Sequence, residues 1–186
     1  MILDTAMRII ATEGLRALST RHLAEEVGIT EPAIYRHFRN KETLIQELIR
    51  QINDKFGTLL QSISEPDLNA LDNLMQMLDK VLSYLEQNWT SSNTILSLAV
   101  ASEDPAFEPE LAVIGALGQS CAEQQLQQGL EDGSIRRDIP VEQLAFLVLS
   151  MIVLHIQKWK SAGNKFSLRT SWHPYARMLE VLLSGR

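Results

Sequence analysis

The chain has 186 residues, enough for one domain or two small ones around a real core, and 45% hydrophobic against 22% charged residues excludes a disordered chain. Its net charge of -6 argues against a uniformly basic nucleic-acid binder, but residues 1–50 hold seven of the 17 basic and seven of the 23 acidic side chains, so the acidic excess lies in the remainder. Between Arg36 and Lys41 stand three fixed positive charges and His37, with no acid among them. A neutral N-terminal module with a small basic tip on an acidic body fits DNA binding at one end. One cysteine, Cys121, leaves no intramolecular disulfide and no cysteine-based metal site. Residues 1–10 lack the form of a signal peptide, and the longest apolar run, Leu144 to Ile156, is too short for a membrane span. We therefore expect a cytoplasmic protein with no membrane segment.

In chain order, residues 3–13 read as a helix with Leu3, Ala6, Met7, Ile10 and Ala11 on one face and Gly14 as its terminator. Leu23, Ala24 and Val27 mark a second helix, and Gly28 suits the left-handed conformation that ends a helix before a sharp turn. Thr30 is an N-cap candidate for a third helix, with Glu31 favoured by the dipole in its first turn and Pro32 tolerated there. Ile34 and Phe38 form its buried stripe, Ala33, Tyr35 and Arg36 project away from it, and His37 flanks it. Asn40 can cap the next helix, which begins at Lys41. This spacing is a helix-turn-helix, whose second helix can enter a DNA major groove.

The helix from Lys41 keeps apolar spacing to Ile63, about six turns, longer than a three-helix DNA-binding unit needs. It is expected to join that unit to the rest of the chain and to break at Ser64 to Asp67. Further helices are expected from Leu68 to near Asn88, from Thr90 to Ser102, from about Phe107 to Glu131, and from Val141 to Ala162, with a last one from Tyr175 to Leu183 after Pro174. No β-type alternation, repeat or low-complexity segment is present. The fold class is thus all-α: an N-terminal three-helix helix-turn-helix domain (residues 1–46), joined by a long helix to a C-terminal helical domain (residues 47–186). The last two helices offer more apolar surface than a small bundle needs. A two-fold interface is expected from Leu144, Val148, Ile152, His155, Trp159, Tyr175, Met178, Leu179 and Leu182, with ordinary core packing as the alternative.

The opening motif resembles the tetracycline-repressor (TetR) family of bacterial transcription regulators. Ala6 through Gly14, Thr20, Leu23, Ala24, Val27, Gly28, Ile29, Tyr35, His37, Phe38, Lys41 and Leu44 carry the resemblance, which covers roughly the first quarter of the chain. It implies a homodimer that places one recognition helix per subunit on a palindromic double-stranded operator. It also implies a C-terminal domain for ligand binding and dimerisation. By this resemblance Thr20, Tyr35, His37 and Lys41 grip phosphates and Arg21 reaches a base edge. Thr30, Glu31, Pro32 and Ala33 open the recognition helix, where Ala33 could meet a thymine methyl, and Arg36 serves base or phosphate. Glu31 could accept from cytosine N4 or merely stabilise the helix end. The basic N-terminal arm of many members is not in this sequence.

For the sensor domain the resemblance implies a small effector, expected to be apolar, with Met75, Trp89, Cys121, Met151, His155 and Trp159 as candidate contacts. Plain core packing is the alternative for each. For His155 the readings are ligand contact, interface residue or satisfied core histidine. No glycine-rich phosphate loop, metal-spaced histidine pair or Glu-x-x-His pair occurs, so no enzyme, cofactor or metal is expected. A helical protein–protein adaptor whose helix-turn-helix no longer binds DNA is the rival reading.

Overall fold

In the computed structural model, residues 1–61, 67–94 and 107–185 are described. The elements are α1 (Ile2–Glu13), a 3-10 turn (Leu15–Ala17), α2 (Thr20–Val27), α3 (Glu31–His37), α4 (Lys41–Gln61), α5 (Ala70–Gln87), the helical stretch α6 (89–94), α7 (Glu108–Asp132), α8 (Val141–Ser161) and α9 (Leu168–Ser184). Among the described residues there is no strand, so the all-α class stands. The expected break at Ser64 and most of the helix expected over residues 90–102 lie outside the described residues.

The chain divides by contact into two compact units. One comprises residues 1–56 and 88–114, the other residues 57–87 and 115–186. The first has a closed apolar core: Ala6, Ile9 and Ile10 of α1, Leu23 of α2, Ile34 of α3, and Leu44, Ile45, Leu48 and Ile49 of α4 are all almost fully buried. These positions follow helical spacing on each element, which is why four amphipathic segments close around one centre. α6 belongs to this unit as well. Thr94 is buried, with Oγ1 2.9 Å from the Met7 carbonyl oxygen. Residues 88–94 thus pack with the first helices, a grouping that division of the sequence at residue 46 does not anticipate.

The second unit is built on α5, α7, α8 and α9, with α9 lying along α5 and α8. Arg169 Nε donates to both oxygens of Asp79, at 2.8 and 3.0 Å, and Glu86 accepts from Ser167 Oγ and the Arg169 amide. These bonds tie the start of α9 to α5. At the other end, the polar connector after α7 caps α5. Asp132 accepts from the Ala70 amide at 2.8 Å and Ser134 Oγ from the Leu71 amide at 3.2 Å, satisfying first-turn donors that have no intrahelical partner. The connector doubles back tightly, with Ile135 N donating to Gly129 O at 3.0 Å. A Cβ on Gly129 would overlap the Ile135 side chain.

One sequence expectation changes here. The last helix starts at Leu168, not Tyr175, and runs through Pro174. Ser167 caps it by accepting from the Thr170 amide, and Leu168, Trp172, Leu179 and Leu183 form its buried stripe. That burial outweighs the amide bond a mid-helix proline cannot make. α8 has 21 residues and a mean hydropathy of 1.4 in its most apolar window, a length and composition that a core helix shares with a membrane span. Here it packs along α9, burying Leu144, Ala145, Val148, Ile152, His155, Ile156 and Trp159.

Candidate nucleic-acid interface

The helix-turn-helix forms by local rules. Ser19 caps α2 by accepting from the His22 amide at 3.1 Å. Gly28 ends α2 at φ 77°, ψ 32°, and its amide reaches the carbonyls of Ala24 and Glu25 while the Ile29 amide also turns back to Ala24. Only a residue without Cβ takes that conformation cheaply, so Gly28 sets the angle between α2 and α3. Thr30 is the N-cap of α3 by position, but its side chain makes no cap bond; its carbonyl accepts from the Ala33 amide at 2.9 Å instead. Asn40 does cap α4, its Oδ1 accepting from the Thr43 amide at 2.8 Å.

On this frame the interface candidates gather around α3. Pro32, Tyr35, Arg36 and His37 are exposed and Ala33 is half-buried, while Ile34 points inward. Thr20 at the start of α2 lies beside the start of α3: its Oγ1 donates to Glu31 Oε1 at 2.5 Å and is 3.3 Å from the Tyr35 hydroxyl. Arg21 is exposed and pairs with Glu25 at 3.1 Å along its own helix. Lys41 is half-buried, its Nζ 3.4 Å from the Leu15 carbonyl oxygen, and burial pulls its ammonium pKa below the usual lysine value. A half-desolvated cation in the first turn of a helix is well placed to take an anion.

The arginines divide by partner. Arg8 pairs with Glu26 and Arg50 with Glu47 and Asp54. Arg16, Arg36 and Arg39 are exposed with no carboxylate partner among the described residues. Arg16 follows Leu15, whose carbonyl meets Lys41, and Arg39 sits in the turn before α4. Neither was among the expected contacts. Their signal in the sequence was positional: each lies within two residues of Leu15 or Lys41. Balanced formal charge in this unit therefore conceals segregation, with acids neutralising Arg8, Arg21 and Arg50 and leaving the α3 side basic.

The expected effector contacts are spread over both compact units. Trp89 is exposed and belongs to the first compact unit, whereas the other five belong to the second. Met75, Cys121 and Met151 are half-buried, and burial raises the Cys121 thiol pKa. His155 and Trp159 are buried and spend their polar atoms on the α8–α9 connection. His155 Nε2 lies 3.0 Å from Leu168 O and 3.1 Å from Ser171 Oγ, and Trp159 Nε1 donates to Phe166 O at 2.8 Å. His155 also packs against the rings of Trp172 and Tyr175, at 5.4 and 5.3 Å between centroids. That is the geometry of a satisfied core histidine. It also edges a shallow cleft of about 270 Å³ with Lys158, Phe166 and Tyr175.

The expected interface splits by burial. Leu144, Val148, Ile152, His155, Trp159 and Leu179 are buried within the chain and Leu182 is half-buried, which leaves them little surface for a partner. Tyr175 and Met178 are exposed, and beside them Phe146, Val153, Leu154 and Val181 expose large apolar side chains that apolar spacing did not single out.

Residues 2–48 match the model of the family described as bacterial regulatory proteins, tetR family. Over nearly its whole length the chain is similar to the HTH-type transcriptional repressor KstR2 of Rhodococcus jostii, at 27% identity over 99% of this chain and 88% of that protein. It is 25% identical to the nucleoid occlusion factor SlmA of Photobacterium profundum, over 96% of this chain and 91% of that protein. Among solved structures it resembles the transcriptional regulator FadR from Bacillus subtilis, determined in complex with stearoyl-CoA. The TM-score is 0.83 over all of this chain and 97% of that one, at 21% identity, a likeness of fold. The matched segment and the helix-turn-helix it forms make residues 2–48 a DNA-binding segment of the kind found in bacterial regulatory proteins of the tetR family.

Proposed function

We propose that the protein is a cytoplasmic repressor that binds a palindromic operator as a homodimer and releases it when a small apolar effector occupies the C-terminal unit. The observation that carries the reading is α3 with its surroundings: an exposed recognition helix, hydroxyl and ammonium donors at Thr20, Tyr35 and Lys41, and exposed arginines at positions 16, 36 and 39 with no carboxylate partner among the described residues. Phosphate contacts from these groups supply register and affinity, while Arg21 and the first turn of α3 read base edges. A subunit reads one half-site, so two-fold symmetry in the protein calls for a palindrome.

The dimer is proposed to form on the exposed apolar stripe of α8 and α9. Phe146, Leu154, Met178 and Val181 are each more than half exposed in the subunit, an arrangement that costs a lone chain solubility and suits a second copy. The test begins with selection of bound duplexes from a random DNA pool, followed by mobility shift over a salt series. A palindromic consensus, with affinity falling steeply as salt rises, is expected. Failure to enrich any sequence and absence of salt-dependent binding would leave the protein–protein adaptor as the better reading. Stearoyl-CoA, the molecule in the Bacillus subtilis structure, is the first probe with a long apolar chain for release of the selected duplex.

A further inference from the structure

Thr20 and Tyr35 are proposed phosphate donors, yet in the free protein neither hydroxyl proton is available. Thr20 has one proton, and it goes to Glu31 Oε1. The 3.3 Å contact between Thr20 Oγ1 and the Tyr35 hydroxyl must then run the other way, with Tyr35 donating to Thr20. The result is a directed chain, Tyr35 to Thr20 to the Glu31 carboxylate, in which an anion of the protein holds both donors. A DNA phosphate is an anion seeking the same two protons. The two cannot be satisfied together, and their charges repel across a short distance.

We propose that Glu31 is a specificity gate that acts by occupying the phosphate donors in the free protein. This rests on the DNA-binding function proposed for the same surface and names what regulates it. Any duplex that docks must displace the carboxylate from Thr20. Once displaced, the carboxylate stands at the first residue of α3, the part of the recognition helix that meets base edges, and there it needs a new hydrogen-bond donor. Cytosine N4 or adenine N6 in the major groove supplies one; guanine O6 and N7 and thymine O4 present only acceptors and repel it. A matching operator therefore restores what displacement removed, and a random duplex does not. Glu31 discriminates mainly by penalising wrong sequences, so its removal strengthens indiscriminate binding.

The test compares wild type, Glu31→Gln, Glu42→Gln, Thr20→Val and the Thr20→Val/Glu31→Gln pair. Each is titrated with the selected duplex and with a scrambled duplex of equal composition. Glu42 is an exposed acid at the start of α4 with no bond to Thr20, so its neutralisation measures the general effect of losing one negative charge. Glu31→Gln is expected to tighten binding to the scrambled duplex about tenfold and to the selected duplex about threefold or less, while Glu42→Gln tightens both by about twofold. In the Thr20→Val background the Glu31→Gln gain should fall to the Glu42→Gln level, because the donor it frees is gone. Equal gains from Glu31→Gln and Glu42→Gln, or weaker scrambled-duplex binding by Glu31→Gln, overturn the gate while leaving the DNA-binding function intact. Wild type that binds neither duplex overturns both.

Discussion

At the scale of single residues, several of the side chains around α3 proposed to meet a DNA backbone are engaged internally in the free protein. Lys41 is the sharpest case, because burial lowers its pKa and so marks its ammonium as under-solvated. A lysine with a depressed folded pKa opposes folding while protonated, and that opposition disappears only as pH rises toward its ordinary value of 10.5. Lys41→Met should therefore leave the melting temperature at pH 7 unchanged or higher, as read by circular dichroism. The same change should weaken selected and scrambled duplexes alike by about tenfold and lower the salt slope by about one. A large loss of stability with unchanged DNA affinity would reverse the assignment. Arg21→Ala, which removes a possible base contact, should instead relax sequence preference at one operator position. The resemblance of the opening motif to the TetR family, rather than spacing alone, is what singled out Thr20, Tyr35 and Lys41. The Glu31 bond to Thr20 was not legible, since it joins residues 11 apart whose approach depends on the Gly28 turn.

Among the elements, apolar periodicity located the helices well because each buries one stripe, and periodicity reports the stripe directly. It failed at α9, where Pro174 looked like a start although Ser167 caps the helix seven residues earlier. It also missed the close return of the connector onto α7, which depends on one glycine. Gly129→Ala drives a Cβ into Ile135 and should cost about 1–3 kcal/mol, several degrees in melting temperature. Gly115→Ala, on the same helix with open space around it, should stabilise by about 0.5–1 kcal/mol through helix propensity. If both changes acted alike, the tight return would have no energetic weight. Asp132 gives a pH counterpart. The Ser134 hydroxyl first, and then the Ala70 amide, hold its carboxyl below the ordinary value of 3.8. Its contribution is present above that value and is lost as pH falls through the lowered one. Asp132→Asn should thus reduce stability at pH 7 and flatten the loss seen below about pH 4, in thermal melts across pH.

For the whole molecule, two stripes compete on α8 and α9, and counting apolar residues cannot say which one turns inward. Burial decides it: Leu144, Val148, Ile152 and Trp159 close the subunit, and Phe146, Val153, Leu154, Met178 and Val181 stay outside. A dimer built on the outer stripe makes a clear demand. Leu154→Asp with Met178→Asp changes two exposed side chains, so the subunit should keep its helical circular dichroism. Four carboxylates would then meet in a two-fold interface, each desolvated without a partner, which is enough to prevent association. By light scattering the wild type should show twice the 21.0 kDa chain mass and the double variant a single chain mass. Operator affinity should drop at least about a hundredfold, because each half-site then binds its subunit alone, and deleting one half-site should no longer matter to the variant. A control pair at Leu144 and Ile152 would instead unfold the subunit, since those side chains lie in its core. A double variant that still ran at twice the chain mass would place the interface elsewhere on the surface.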